Sequence, residues 1–189
     1  DLTCEINDFT ISPSVDLNDF CSLERLIFEI SGRNPEKTAI TFSALENGGR
    51  AHYDGIRFLT KEFYFGSAED DDVLDCIAYY FDEYGYVFGV DSSVGAKVGN
   101  DYFNDENDYT PIVYLATSSP FKFPCEVFDG VAEILLRDPL HAADRIFAET
   151  GMPLPAFLGG LKDADEGKII KADTNDLSET VKWLCDEKY

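Results

Sequence analysis

The stretch Tyr109-Thr110-Pro111-Ile112-Val113-Tyr114-Leu115-Ala116-Thr117 decides the fold. Ile112 to Ala116 are continuously apolar, the pattern of a strand covered on both faces of a parallel sheet. Ser118-Ser119-Pro120 then breaks the run, since proline removes a backbone donor. The sequence therefore predicts a strand over 109–117 that ends at Thr117.

Around it the pattern turns helical. Leu17, Leu23, Leu26, Ile27 and Ile30 recur near helical spacing, which predicts a helix over 18–31 stopped by Gly32. Pro35 suits a first helical position, opening a helix to about Glu46 before Asn47-Gly48-Gly49. A short helix is expected within 54–66. Acids crowd the chain from Glu69, which favours a helix start, and Val73, Leu74, Ile77, Tyr80, Phe81 and Tyr84 give it one apolar face before Gly85. Further helices are expected over 91–103 and around Phe128, Val131 and Leu135. Asp138-Pro139 opens another that runs to Gly151, and Asp176 caps a last one. Asp8 to Asp16 reads as extended around Pro13, and 167–172 as a short strand. The class is α/β, helix-rich with few strands. One or two strands do not make a stable sheet alone, so the rest of the sheet is expected in residues outside this chain.

Composition narrows the function. The 189 residues are 44% hydrophobic and 14% aromatic, a globular balance. A formal charge of -22, from 37 acids against 15 bases, repels phosphate backbones and anionic lipids, so no nucleic-acid or membrane partner is expected. No apolar run reaches the roughly 20 residues of a membrane helix. Cys4, Cys21, Cys76, Cys125 and Cys185 form no Cys-x-x-Cys pair, and each reads as a small buried hydrophobe in a reducing, cytoplasmic setting. With only His52 and His141, no multi-histidine metal site can form, and no metal is expected. The acidic run Asn104 to Asp108 fails the calcium-loop spacing, because Tyr109 stands where an oxygen ligand belongs. Glu24-Arg25 reads as a structural ion pair or a helix-surface charge. The chain opens on Asp1, with its one methionine at Met152, and is read as a cut end.

Three stretches, in order, resemble threonine synthase of the bacterial and fungal type. Phe9 to Arg33 carries Ser12-Pro13-Ser14, Asp16 and Leu23-Glu24-Arg25-Leu26, close to the family's Ser-Pro-Ser-Met-Asp-Ile and Asn-Leu-Glu-Arg-Leu, with Ser22 for the asparagine. Phe63 to Val98 carries Glu83-Tyr84-Gly85-Tyr86. It leads to Gly89-Val90-Asp91-Ser92-Ser93, where the family has Asp-Pro-His-Thr-Ala and only the hydroxyl at Ser92 survives. Thr110 to Phe123 resembles a strand ending in Ala-Thr-Ala-His-Pro-Ala-Lys-Phe, matched at Thr117, Pro120, Lys122 and Phe123; Thr150-Gly151-Met152-Pro153-Leu154-Pro155 matches a later step.

The resemblance implies a pyridoxal-phosphate (PLP) enzyme of the tryptophan synthase beta-like fold, fold type II. It implies that residues 1–189 are one C-terminal segment, and that the whole enzyme turns O-phosphohomoserine and water into threonine and phosphate. The family's imine-forming lysine in Ser-Phe-Lys-Asp is absent, so no catalytic residue is assigned. The Gly-rich phosphate loop is absent too, since Val98-Gly99-Asn100-Asp101 lacks the second glycine. Both are expected in the missing N-terminal part, which is then the chain's partner. Thr117 is the position implied to face the cofactor's ring nitrogen; capping of the Ser118–Pro120 turn is its simpler reading. Lys122 is implied to face the substrate phosphate, with Ser12 and Ser14 lining the site; a surface lysine and serines bonding the backbone around Pro13 are the alternatives. A free-standing acidic α/β binding module without catalysis is the competing function.

Overall fold

The computed structural model describes residues 2–3, 9–14, 16, 21–161, 164 and 170–187. Two units emerge, Asp1–Leu154 and Pro155–Tyr189. In the first, β1 (Leu2–Thr3) pairs antiparallel with β2 (Arg50–Ala51), Leu2 opposite Ala51. This pair was not legible, because two residues carry no periodicity.

Local chemistry explains where the helices start and stop. The helix α1 (Cys21–Ile30) ends at Gly32, at φ 75°, where the Arg33 N–H donates to the Phe28 carbonyl at 2.9 Å. Then α2 (Pro35–Gly48) starts from Asn34, whose side chain accepts from the Lys37 N–H at 3.0 Å, and closes on Gly49 in the left-handed region. A short α3 (Ile56–Glu62) follows. Ile27 on α1, Tyr53 ahead of α3 and Leu59 on α3 form one core, with Leu23, Leu26, Ile30 and Phe42 packed on it.

The larger core belongs to four helices. These are α4 (Asp70–Tyr84), α5 (Val90–Glu106), α6 (Pro124–Ala132) and α7 (Pro139–Thr150). Glu69 and Asp72 cap α4 reciprocally, and Gly85 ends it. Asp138 caps α7 by accepting from the Leu140 and His141 N–H groups at 2.9 and 3.1 Å. Ile77, Val127, Phe128, Ala142 and Ile146 are fully buried between them. Arg145 lies over the Phe128 ring at 5.0 Å. In the second unit, α8 (Ala156–Leu161) is followed by α9 (Leu177–Glu187), preceded by a 3-10 turn over Thr174–Asp176.

Several expectations are corrected. Tyr109 to Thr117 takes no regular secondary structure and joins no sheet among the described residues. It is not buried: Val113 is 83% and Leu115 79% exposed. An apolar run becomes a strand only where a neighbour offers backbone partners. Tyr114 anchors it, its ring 6.0 Å from Phe88 and 6.3 Å from Tyr80, and Tyr109 stacks on Phe103 at 6.1 Å. Burial, then Tyr114, pushes the Tyr80 hydroxyl above its ordinary pKa range. Likewise, α6 stops at Ala132 with Glu133 at φ 54°, leaving Leu135 exposed beyond it. The last cap is Asp173, accepting from the Asn175 N–H at 3.0 Å, and Asp176 closes that turn. Pro13 and Ser14 sit in a turn, not an extended run. Cys76 and Cys125 are buried as expected, but Cys185 is exposed; Cys4, the Cys21 side chain and 167–169 lie outside the described residues, and 170–172 form no strand.

Candidate functional site

The Thr10–Asp16 turn is built by its own side chains. Thr10 donates to Asp16 through its N–H at 2.7 Å and its hydroxyl at 2.8 Å, and the Ser12 N–H donates to Thr10 Oγ1 at 3.0 Å. The Ile11 N–H donates to Asp70 Oδ1 at 3.0 Å, which ties the turn to the start of α4. Ser14 is thereby carried to Lys122, 108 residues away, whose ammonium donates to Ser14 Oγ at 2.5 Å.

Lys122 closes a 3-10 turn, Pro120–Lys122, that Ser119 caps by accepting from the Phe121 N–H at 3.2 Å. The cap is therefore Ser119 and not Thr117. Gly89, the residue before α5, lies against this turn: a Cβ there would meet Pro120 Cα and N and the Ser118 carbonyl oxygen, each at 3.6 Å. The contact sets the start of α5 beside Lys122. Asp91, in the first turn of α5, has a side chain only 5% exposed. Its Oδ2 accepts from Ser118 Oγ at 3.1 Å and lies 3.7 Å from Lys122 Nζ.

Three buried oxygens here have no hydrogen-bond partner among the described residues: Asp91 Oδ1, Ser92 Oγ and Ser12 Oγ. Buried polar groups are nearly always bonded, so each of these atoms calls for a water or another partner. Lys122, 47% exposed, also lies 4.9 Å from the Phe123 ring centre.

Of the sequence candidates, Ser14 and Lys122 are brought into contact, and Ser12 lies two residues away on the same turn. Thr117 is exposed, one residue before Ser118. Asp91 and Ser118 were missed as site residues. Asp91 reads locally as an acid favoured at a helix start, and no spacing rule links it to Lys122. Glu24 and Arg25 are both exposed on α1. The acids of 104–108 serve the backbone and tyrosines: Tyr64 donates to Asp105, and Tyr102 to Asp108 at 2.6 Å. Among the described residues no cluster of three or more His, Cys, Asp or Glu side chains could hold a metal. A cleft of about 400 Å³ lies apart from these residues, lined by Ser31, Lys37, Thr41, His52 and Tyr53.

The fit to PLP is partial. Gly99 is not a phosphate-loop glycine: it lies within α5, and a Cβ there would be 2.7 Å from the Tyr114 ring. Thr117 is exposed at the end of the 109–117 segment, open to a ring placed there.

No family model matches the chain. Two curated proteins do. Threonine synthase of Pseudomonas aeruginosa is 27% identical over 140 residues, covering 71% of this chain and 29% of that protein. Threonine synthase of Methylobacillus glycogenes is 25% identical over 134 residues, covering 69% and 27%. The chain thus spans under a third of the length of these relatives. Among solved structures, PLP-bound threonine synthase from Brucella melitensis superposes with a TM-score of 0.68 at 24% identity, over 95% of this chain and 35% of that one. Yeast threonine synthase gives 0.69 at 17% identity, over 94% and 36%. The fold is that of a portion of these enzymes, and among the described residues no helix is long and apolar enough to cross a membrane.

Proposed function

We propose that this chain, which matches a portion of threonine synthase, works as the C-terminal segment of such an enzyme, with residues 1–189 forming one functional piece of it. The whole protein would convert O-phosphohomoserine and water to threonine and phosphate in the cytoplasm. One observation carries the reading: Tyr109–Thr117 carries an apolar run that leaves Val113 and Leu115 exposed, joins no sheet among the described residues, and leads directly into the cluster of Ser118, Lys122, Asp91 and Ser14. An edge of that kind calls for a neighbouring strand. The upstream part of the enzyme is the partner that would supply it.

When bound, PLP supplies the electron sink for carbanion chemistry, while protein groups orient and tune it. In this chain Thr117 would hold the ring nitrogen through a neutral hydroxyl, which does not compel protonation of that nitrogen as a carboxylate would. Lys122, Ser12 and Ser14 would line the substrate side. The imine-forming lysine and the phosphate loop would come from the upstream part.

The test compares two proteins. The 189-residue chain alone is expected to show no PLP aldimine absorbance and to release no phosphate from O-phosphohomoserine. The polypeptide extended upstream in its natural reading frame is expected to do both, and Thr117→Asp in it to change the cofactor spectrum and slow turnover. Activity of the short chain would overturn the reading and favour a self-sufficient module.

A further inference from the structure

We propose that Asp16 is a positioning residue of this site: it locks the Thr10–Asp16 turn so that Ser14 holds the Lys122 ammonium short of a full pair with Asp91, leaving a donor to meet a phosphate oxygen. The proposal rests on the reading that Lys122 lies on the substrate side, and deepens it.

Two neighbours compete for Lys122. Its ammonium donates to Ser14 Oγ at 2.5 Å, while Asp91 Oδ2 lies 3.7 Å away, too far for a hydrogen bond. Asp91 is the stronger attractor, because it carries a full charge on a side chain only 5% exposed. Ser14 is neutral, so it keeps the ammonium only if its oxygen is held in place. A closed pair with Asp91 would offset the charge that a phosphate needs. Held by Ser14, Lys122 stays 47% exposed, and an ammonium has three donors, so one remains for a phosphate oxygen.

Asp16 holds Ser14 through a relay. Its two carboxylate oxygens accept separately, Oδ2 from the Thr10 N–H at 2.7 Å and Oδ1 from the Thr10 hydroxyl at 2.8 Å. The Thr10 hydroxyl has one proton and gives it to Asp16, so its lone pairs point elsewhere and accept the Ser12 N–H at 3.0 Å. Pro13 then stiffens the step from Ser12 to Ser14. The turn has a second tether, the Ile11 N–H donating to Asp70 at 3.0 Å. Both tethers end on carboxylates, so number, length and burial decide between them. Asp70 takes one exposed bond; Asp16 takes two shorter, half-buried ones, which the surrounding medium strengthens.

The first measurement uses the 189-residue chain and needs neither cofactor nor substrate. Backbone and lysine-ammonium NMR compare the wild type with Asp16→Asn, which keeps the shape but has one acceptor oxygen in place of two. The Ser12 and Ser14 amides and the Lys122 ammonium are expected to shift. Ser14→Ala is expected to move the Lys122 signal in the wild type but not in the Asp16→Asn background. The second measurement follows phosphate release from O-phosphohomoserine by the extended polypeptide. Asp16→Asn is expected to raise KM about 10-fold, the size of one hydrogen bond to a charged group, with a smaller effect on kcat. The double variant Asp16→Asn with Ser14→Ala is expected to be no worse than Ser14→Ala, because both changes remove the same support. Should Asp16→Asn not fold, Thr10→Val breaks the relay at its middle and carries the same expectations. An unmoved Lys122 ammonium in the folded variant, or additive losses in the double variant, would overturn the proposal and leave Asp16 a stabiliser of the turn alone. An extended polypeptide without activity would instead overturn the functional reading, and the Lys122 signal would still decide whether Asp16 places Ser14.

Discussion

A methyl group on Gly130 would sit 2.8 Å from Ile77 Cβ and 2.9 Å from Cγ2, where α6 meets α4. Those atoms belong to a fully buried side chain and cannot swing away. Overpacking of this kind costs about 1–3 kcal/mol, more than the roughly 1 kcal/mol an alanine gains over glycine in a helix. Gly130→Ala is therefore expected to lower stability by about 1 kcal/mol in urea unfolding. Gly95, in α5 with nothing within 4 Å of its would-be Cβ, gives the opposite sign: Gly95→Ala is expected to add up to about 1 kcal/mol. Titration behaviour also belongs to single residues. Bonds from Tyr102 and from the Thr110 hydroxyl and N–H hold the Asp108 carboxyl down to about 2, below its ordinary 3.8. The folded state thus binds this proton less readily than the unfolded chain. The resulting stability is complete above pH 3.8 and is lost as pH falls through about 2. NMR titration of the Asp108 carboxyl carbon checks the value, and Tyr102→Phe should move the midpoint upward.

Helix ends were the part of the fold most legible in the sequence. Asn34-Pro35, Gly85, Asp138-Pro139 and Gly151 act through backbone groups within a few residues, so a local pattern suffices to find them. Asp138→Ala should cost about 1 kcal/mol by releasing two N–H groups of α7, with loss of helical circular dichroism on milder heating. The 109–117 segment shows the limit of that reasoning. Its apolar run was visible, but pairing depends on residues far away in sequence, and no described neighbour provides it. The site divides in the same way. Ser12, Ser14 and Lys122 were found through motifs, whereas their meeting across 108 residues, and the placing of Asp91 by the packing of Gly89 on Pro120, come only from tertiary structure.

At the scale of the molecule, two features oppose each other: a net charge of -22 and a bare apolar edge. At low salt, like charge keeps copies apart. The screening length falls from about 10 Å at 0.1 M to about 3 Å at 1 M, so added salt removes the repulsion and leaves the edge free to pair. The chain is therefore expected to associate as salt rises, seen as a concentration-dependent increase in light scattering. Val113 and Leu115 stand two residues apart on the exposed side of the segment, the spacing of one strand face. The double variant Val113→Lys with Leu115→Lys should abolish the association. Neither side chain contributes to a core, so its cost to folding should stay within about 0.5 kcal/mol, or about 2 °C in Tm. A fall of many degrees would mean that the segment is covered within this chain and would remove the main support for a missing strand partner. An unchanged Tm with loss of association would mark the segment as an edge awaiting a neighbour. In the extended polypeptide the same two lysines should then block PLP binding, because they would occupy the face on which the upstream part must close.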